Sequence, residues 1–181
     1  MRNSATIAER SESKTMRFLR IFFRKRDTDV EDGGVQKRVQ RDVPKTVVSE
    51  NIIRFTCEFS TVAIADEIPI EHGVYTMSAS LADGAVRAEY DMRTRHGKGE
   101  RFLFRDSHRF MRNLQEIVRA HDLARFNGEE YSVSGLPDMY GAKIHIVYAS
   151  GERIDASDNQ SNFLPIEAMV ALVELFLSKK R

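Results

Sequence analysis

The stretch that most constrains the fold runs from Asn127 to Arg181. Asn127-Gly128 opens it with a pair suited to stopping a helix. Gly135-Leu136-Pro137-Asp138 and Tyr140-Gly141 follow as turn chemistry. Residues 143–148 then alternate: Ile144, Ile146 and Tyr148 share one side, and Lys143, His145 and Val147 the other. Ser150-Gly151 reverses the chain into a second run, 153–156, and so short a link forces antiparallel pairing. A polar knot, 157–162, precedes an apolar helix, with Asn162 expected as its cap and Pro165 in its first turn. Ile166, Met169, Val170, Val173, Phe176 and Leu177 form its stripe, which Leu172 and Leu175 widen. Such width means deep burial or a far edge that meets a partner, including a second copy of this chain through this C-terminal helix. Lys179, Lys180 and Arg181 suit the negative end of the helix dipole.

Upstream, period two returns. Ile53, Phe55, Cys57 and Phe59 form an apolar face against Arg54, Thr56 and Glu58, which predicts a half-buried strand over 47–59. Residues 74–92 read as a hairpin about Ala82-Asp83-Gly84, because Asp-Gly supplies the positive φ a tight turn needs. In its return arm Val86, Ala88, Tyr90 and Met92 alternate with Arg87, Glu89 and Asp91. Residues 101–104 predict a short strand and 131–134 a strand candidate. Phe110, Leu114, Ile117 and Val118 recur at helical spacing, with Asp106 or Ser107 as cap and Arg109, Arg112, Glu116 and Arg119 on the other side. His121 continues the stripe as a packed or rim residue. The expected fold class is α+β: an antiparallel sheet of about five or six strands with two helices packed on one face.

The order Phe126-Asn127-Gly128, Gly135-Leu136-Pro137-Asp138, a strand ending Tyr148-Ala149-Ser150-Gly151-Glu152, then Asn159 and Phe163 before a closing helix resembles a group of uncharacterised bacterial small α+β domains. The resemblance covers roughly 107–178 and rests on turn residues, with Ser150-Gly151 where the group has Asp-Gly. It implies a backbone plan and carries no activity with it.

Residues 1–45 differ from the rest. They carry 12 Lys/Arg against 7 Asp/Glu and few apolar residues outside one cluster. Residues 1–13 read as disordered and 27–45 as a linker, which leaves 46–181 as a single α+β domain. Between them, Met16, Phe18, Leu19, Ile21, Phe22 and Phe23 interleave with Lys14, Arg17, Arg20, Arg24, Lys25 and Arg26. On a helix this segment, 14–26, is basic and amphipathic, a form that docks on an anionic membrane surface or an acidic partner.

The overall charge of +1 names no partner, but it hides blocks. Residues 46–92 hold 8 acidic and 2 basic side chains; residues 93–125 hold 4 and 9. Mutual neutralisation of these blocks is the first expectation. A single cysteine, Cys57, excludes an internal disulfide, and cytoplasmic residence is the simplest reading, with peripheral membrane association through 14–26 as the variant. No apolar run is long enough to span a membrane as a helix.

Chemistry is sparse. The five histidines show no metal-ligand spacing and have no cysteine partners. Neither a nucleophile elbow nor a nucleotide-binding fingerprint occurs. Asp155, Asp158 and Asn159 fit turn and cap roles, and no metal or other cofactor is implied. Residues 94–100, with Arg95 before Gly97 and Lys98 between Gly97 and Gly99, suit a basic hairpin loop better than a phosphate cradle. Three readings follow. The first is a non-enzymatic protein-interaction domain with a basic docking segment, its candidate contacts being Arg17, Phe18, Arg20, Phe22, Phe23 and Arg24. The second is nucleic-acid binding through 93–119, with Arg95, Lys98, Arg109 and Arg112 as contacts. The third is an enzyme whose site is not visible in the sequence.

Overall fold

A computed structural model describes residues 34–40, 42–64, 67–97, 99–134 and 140–180, all within the unit Asp32–Arg181. The readings made for 1–33 lie outside the described residues, as do Lys98 and the turn 135–139.

The hairpin about Asp83-Gly84 forms as expected. Strands β3 (Val74–Ala82) and β4 (Ala85–Arg93) pair in strict register from Ala82↔Ala85 to Val74↔Arg93. Asp83 and Gly84 both hold positive φ, 52° and 75°, the requirement of a two-residue turn whose twist matches its strands. Around the hairpin the described residues form an α+β architecture of eight strands and two α-helices, in the sheet order β1-β6-β8-β7-β2-β3-β4-β5. Strand β2 (Ile52–Ser60) lies beside β3, and β5 (Gly99–Asp106) beside β4. Strand β7 (Ala142–Tyr148) pairs with the other side of β2, and β8 (Arg153–Asp158) with β7, both antiparallel.

Two strands exceed the expected five or six, and the sheet is mixed rather than antiparallel. Strand β6 (Glu129–Val133) runs parallel to β8. Strand β1 (Val35–Val39) lies in the stretch read as a linker, and it pairs antiparallel with β6. Residues 36–39 of β1 are all exposed. The strand is therefore held by backbone hydrogen bonds more than by buried side chains, and it leaves little apolar pattern to read.

Strand β2 also begins later than expected. A bulge at Ile53 shifts its register against β7, so Ile52 rather than Ile53 is the buried residue, and the alternation settles from Phe55 onward. Residues 46–50 form a strap instead, fixed where Glu152 accepts the backbone N–H groups of Val48 and Ser49, both at 3.0 Å.

Helices α1 (His108–Ala120) and α2 (Ile166–Leu177) cover one face of the sheet. The Phe176 ring meets Phe55 from β2, Tyr90 from β4, Phe104 from β5 and Phe110 from α1, the last edge-on at 5.1 Å. Ala168, Met169, Leu172, Val173 and Phe176 are buried, so the wide stripe of α2 is largely used in its own core. Asn162 lies too early to cap α2, whose first residue follows Pro165. Its amide instead donates to the Ser60 carbonyl at 2.9 Å, and its side-chain oxygen accepts the Leu164 N–H. Ser107 occupies the cap position of α1 without a side-chain hydrogen bond, while the Asp106 carboxylate accepts the Ser107 N–H. After α1 a short 3-10 turn, Leu123–Phe126, leads to Asn127-Gly128, with Gly128 at φ 77°.

Candidate functional site

With the helices on one face, the other face of the sheet from β8 to β5 is open among the described residues, and its polar side chains form rows fixed by register. One row reads Arg153, Val147, Arg54, Ser80, Arg87, Arg105 across six strands. At about 4.8 Å per strand it spans about 24 Å. Arg54, Arg87, Arg105 and Arg153 are all exposed. Arg87 and Arg105 are direct cross-strand partners, an arrangement of like charges that weakens a sheet. Among the described residues no carboxylate lies within ion-pair reach of Arg54, Arg87 or Arg105, whereas Arg153 lies 3.9 Å from Asp155.

Beside the Arg87–Arg105 pair the surface dips into a concavity of about 530 Å³ over β3–β5, lined by Ser78, Ser80, Arg87, Glu89, Leu103 and Arg105. Two guanidinium groups and two hydroxyls converge there. Glu89 is already committed to Arg101, at 2.6 Å. Leu103 is 73% exposed, a large apolar side chain at the rim. The arrangement offers hydrogen-bond donors and positive charge to an anion.

The next row holds Asp155, His145, Thr56, Ser78, Glu89 and Leu103. His145 Nδ1 bonds to Asp155 Oδ1. This orients the imidazole as in a catalytic dyad, and Thr56 is its cross-strand neighbour. Among the described residues no hydroxyl bonds the other ring nitrogen, and the pair stands on an open face without a cleft to exclude water. Cys57 is fully buried, and burial, followed by the Glu58 charge, pushes its thiol far up, which suits a packed core residue and not a nucleophile. Among the described residues no group of three or more His, Cys, Asp or Glu could hold a metal ion. Nor does any described helix have the length and apolarity to cross a membrane.

The residues singled out from sequence fall elsewhere. Arg17, Phe18, Arg20, Phe22, Phe23 and Arg24 lie outside the described residues, as does Lys98. Arg95 sits exposed in the loop between β4 and β5; Arg109 and Arg112 are exposed on α1. Strand β5 stands between these positions, about 26 Å of extended chain. The basic block 93–119 is also divided between the two sides of the sheet, since Arg101 and Arg105 face the open side and α1 covers the other. Part of it is neutralised by the acidic block: Arg93 binds Asp91, Arg101 binds Glu89 and Arg119 binds Glu50.

Sequence reasoning missed Arg54, Arg87 and Arg153. A signal existed for one of them, because a turn at Asp83-Gly84 places Arg87 opposite Ser80. Comparison of the chain with protein-family models, with curated proteins and with solved structures gives no match.

Proposed function

We propose that this chain is a non-enzymatic binding domain that takes an acidic polypeptide partner on the open face of its sheet. The basic segment 14–26 serves as a second docking element. The observation that carries this reading is the arginine row, above all Arg87 opposite Arg105 with no carboxylate partner among the described residues. Three unshared charges in register, Arg54, Arg87 and Arg105, do nothing for the sheet that threonines would not do better. An incoming anion relieves their repulsion.

Two features favour polypeptide over nucleic acid. Single strands are gripped by stacking on aromatic rings, yet the sheet aromatics Phe55, Phe59, Tyr75, Tyr90, Phe102 and Phe104 all pack on the helix-covered side. A duplex wants continuous positive surface, yet Glu58, Glu89, Asp91 and Asp155 interrupt the open face in the neighbouring rows.

The test is fluorescence anisotropy of full chains with labelled polyglutamate, a single-stranded oligonucleotide and phosphatidylserine vesicles. Polyglutamate should bind, weaken as salt rises, and lose about tenfold or more in affinity with R87E/R105E. Equal affinity for that variant, or tighter binding of the oligonucleotide or vesicles through the same arginines, overturns the reading. Unchanged binding by R17E/R20E/R24E would remove segment 14–26 from it.

A further inference from the structure

Strand β5 is the outermost strand on its side of the sheet, and its outer backbone edge has no partner strand among the described residues. Eight residues long, it is the longer of the two edge strands. Long bare edges are normally covered or blunted, because they template pairing with another chain. Here a groove of about 740 Å³ runs along the edge, between β5 and the end of α2 at Ser178, Lys179 and Lys180. On its inner wall Phe102 and Phe104 are only half-buried, since no described strand lies beyond them. The inner charges are already matched: Lys179 binds Asp106 at 2.9 Å and Lys180 binds Glu100 at 2.5 Å. On the outer side Arg101, Leu103 and Arg105 alternate, all exposed; Arg101 already binds Glu89, whereas Arg105 has no carboxylate within ion-pair reach among the described residues.

We infer that an acidic partner docks by adding an extended segment to the edge of β5, with an acidic–apolar–apolar–apolar–acidic pattern. This rests on the reading of the open face as an acidic docking surface and adds the mode of recognition. The two outer acidic residues lie opposite Arg101 and Arg105, and the second also reaches Arg87. The central apolar residue covers Leu103, and its two neighbours pack inward on Phe102, Phe104 and the stems of Lys179 and Lys180. Main-chain hydrogen bonds supply affinity, and the alternating side chains supply choice.

A second copy fits this edge badly. In a two-fold pair centred on Leu103, Arg101 meets Arg105 of the copy and Glu100 meets Asp106. Both are like charges, so the edge repels itself while it attracts an acidic strand.

The test uses the full chain and capped, fluorescein-labelled peptides built on Glu-Val-Leu-Val-Glu between Gly-Ser and Ser-Gly. A strand presents the N–H groups of alternate residues to one side. Two N-methylated forms are therefore made, one blocked at both Glu and Leu, the other at both Val. The unmodified peptide should bind about tenfold or more tighter than its Lys-for-Glu counterpart. One N-methylated form alone should lose binding, and hydrogen exchange of residues 99–106 should slow on binding. R105E, and R105Q as the milder variant, should each weaken the peptide. Equal behaviour of the two N-methylated forms overturns strand addition while leaving the acidic-partner reading intact. So does a dimer in sedimentation that L103K disrupts, because the edge then belongs to a second copy. Loss of both peptide and polyglutamate binding by the wild type overturns both.

Discussion

Asn127 shows how one polar side chain holds several segments. It is buried at 4% exposure, its side-chain oxygen accepts the Asp155 N–H at 2.9 Å, and its amide donates to the Pro44 carbonyl at 2.9 Å. Its backbone carbonyl accepts from Lys45, and the next residue, Gly128, donates to the Asp155 carbonyl at 2.7 Å. One residue therefore joins the chain before β2, the end of the 3-10 turn and β8. Asn127→Ala leaves a backbone donor and a backbone acceptor without partners, and the expected loss is about 1–3 kcal/mol. Urea denaturation checks it, and an unchanged midpoint would mean that these bonds contribute nothing net. Gly128 is restricted as well: its φ of 77° disfavours a side chain, and a Cβ there would collide with Val43.

Among the elements, the strap 46–50 and the β7–β8 turn meet at Glu152. Hydrogen bonds from the Val48 backbone, the Ser150 hydroxyl and the Ser49 backbone hold its carboxyl below the usual range, against a smaller opposing effect of burial. A depressed carboxyl contributes stability that is fully present above its unfolded value of about 4.3 and is lost as pH falls through the folded one. Glu152→Gln should therefore lower the denaturation midpoint above pH 5 and flatten its fall as pH drops below about 4.3. Parallel pH profiles for the two proteins would contradict this. Asp106 behaves in the same direction: burial pushes its carboxyl up, but Lys179 and the Ser107 backbone outweigh that. These links also show what was legible in the sequence. The β3–β4 hairpin, β7, β8 and both helices declared themselves through period and turn residues, because each buries one side of a regular element. Strand β1 did not, since its described side chains are exposed. Nor did the parallel pairing of β6 with β8, which local pattern does not encode. Asn162 was legible as a cap type but misplaced, because its partners, Ser60 and Leu164, depend on tertiary position and local turn geometry.

At the scale of the whole molecule the sheet has one dry side and one wet side. The dry side carries the aromatic cluster about Phe176, and the wet side carries the arginine row. A net charge of +1 conceals this arrangement. The acidic and basic blocks do neutralise one another in part, through Asp91–Arg93, Glu89–Arg101 and Glu50–Arg119. The arginine row is drawn from β8, β2, β4 and β5, and among the described residues its Arg54, Arg87 and Arg105 remain unmatched. Its members are separated by up to 99 positions in sequence, from Arg54 to Arg153. Turn chemistry could align Arg87 with Ser80, but the loops 61–73 and 94–98 hid the register of the outer strands, so the row was not legible. If the row faces an acidic partner, binding must stabilise the native chain by mass action. The most direct measurement is the melting temperature of the full chain with and without polyglutamate, for wild type and R87E/R105E. A rise of about 5–10 °C is expected for the wild type near 100 times its Kd, and about half of that or less for the variant at the same concentration. Equal shifts for the two proteins, or none for either, would contradict a docking role for the open face.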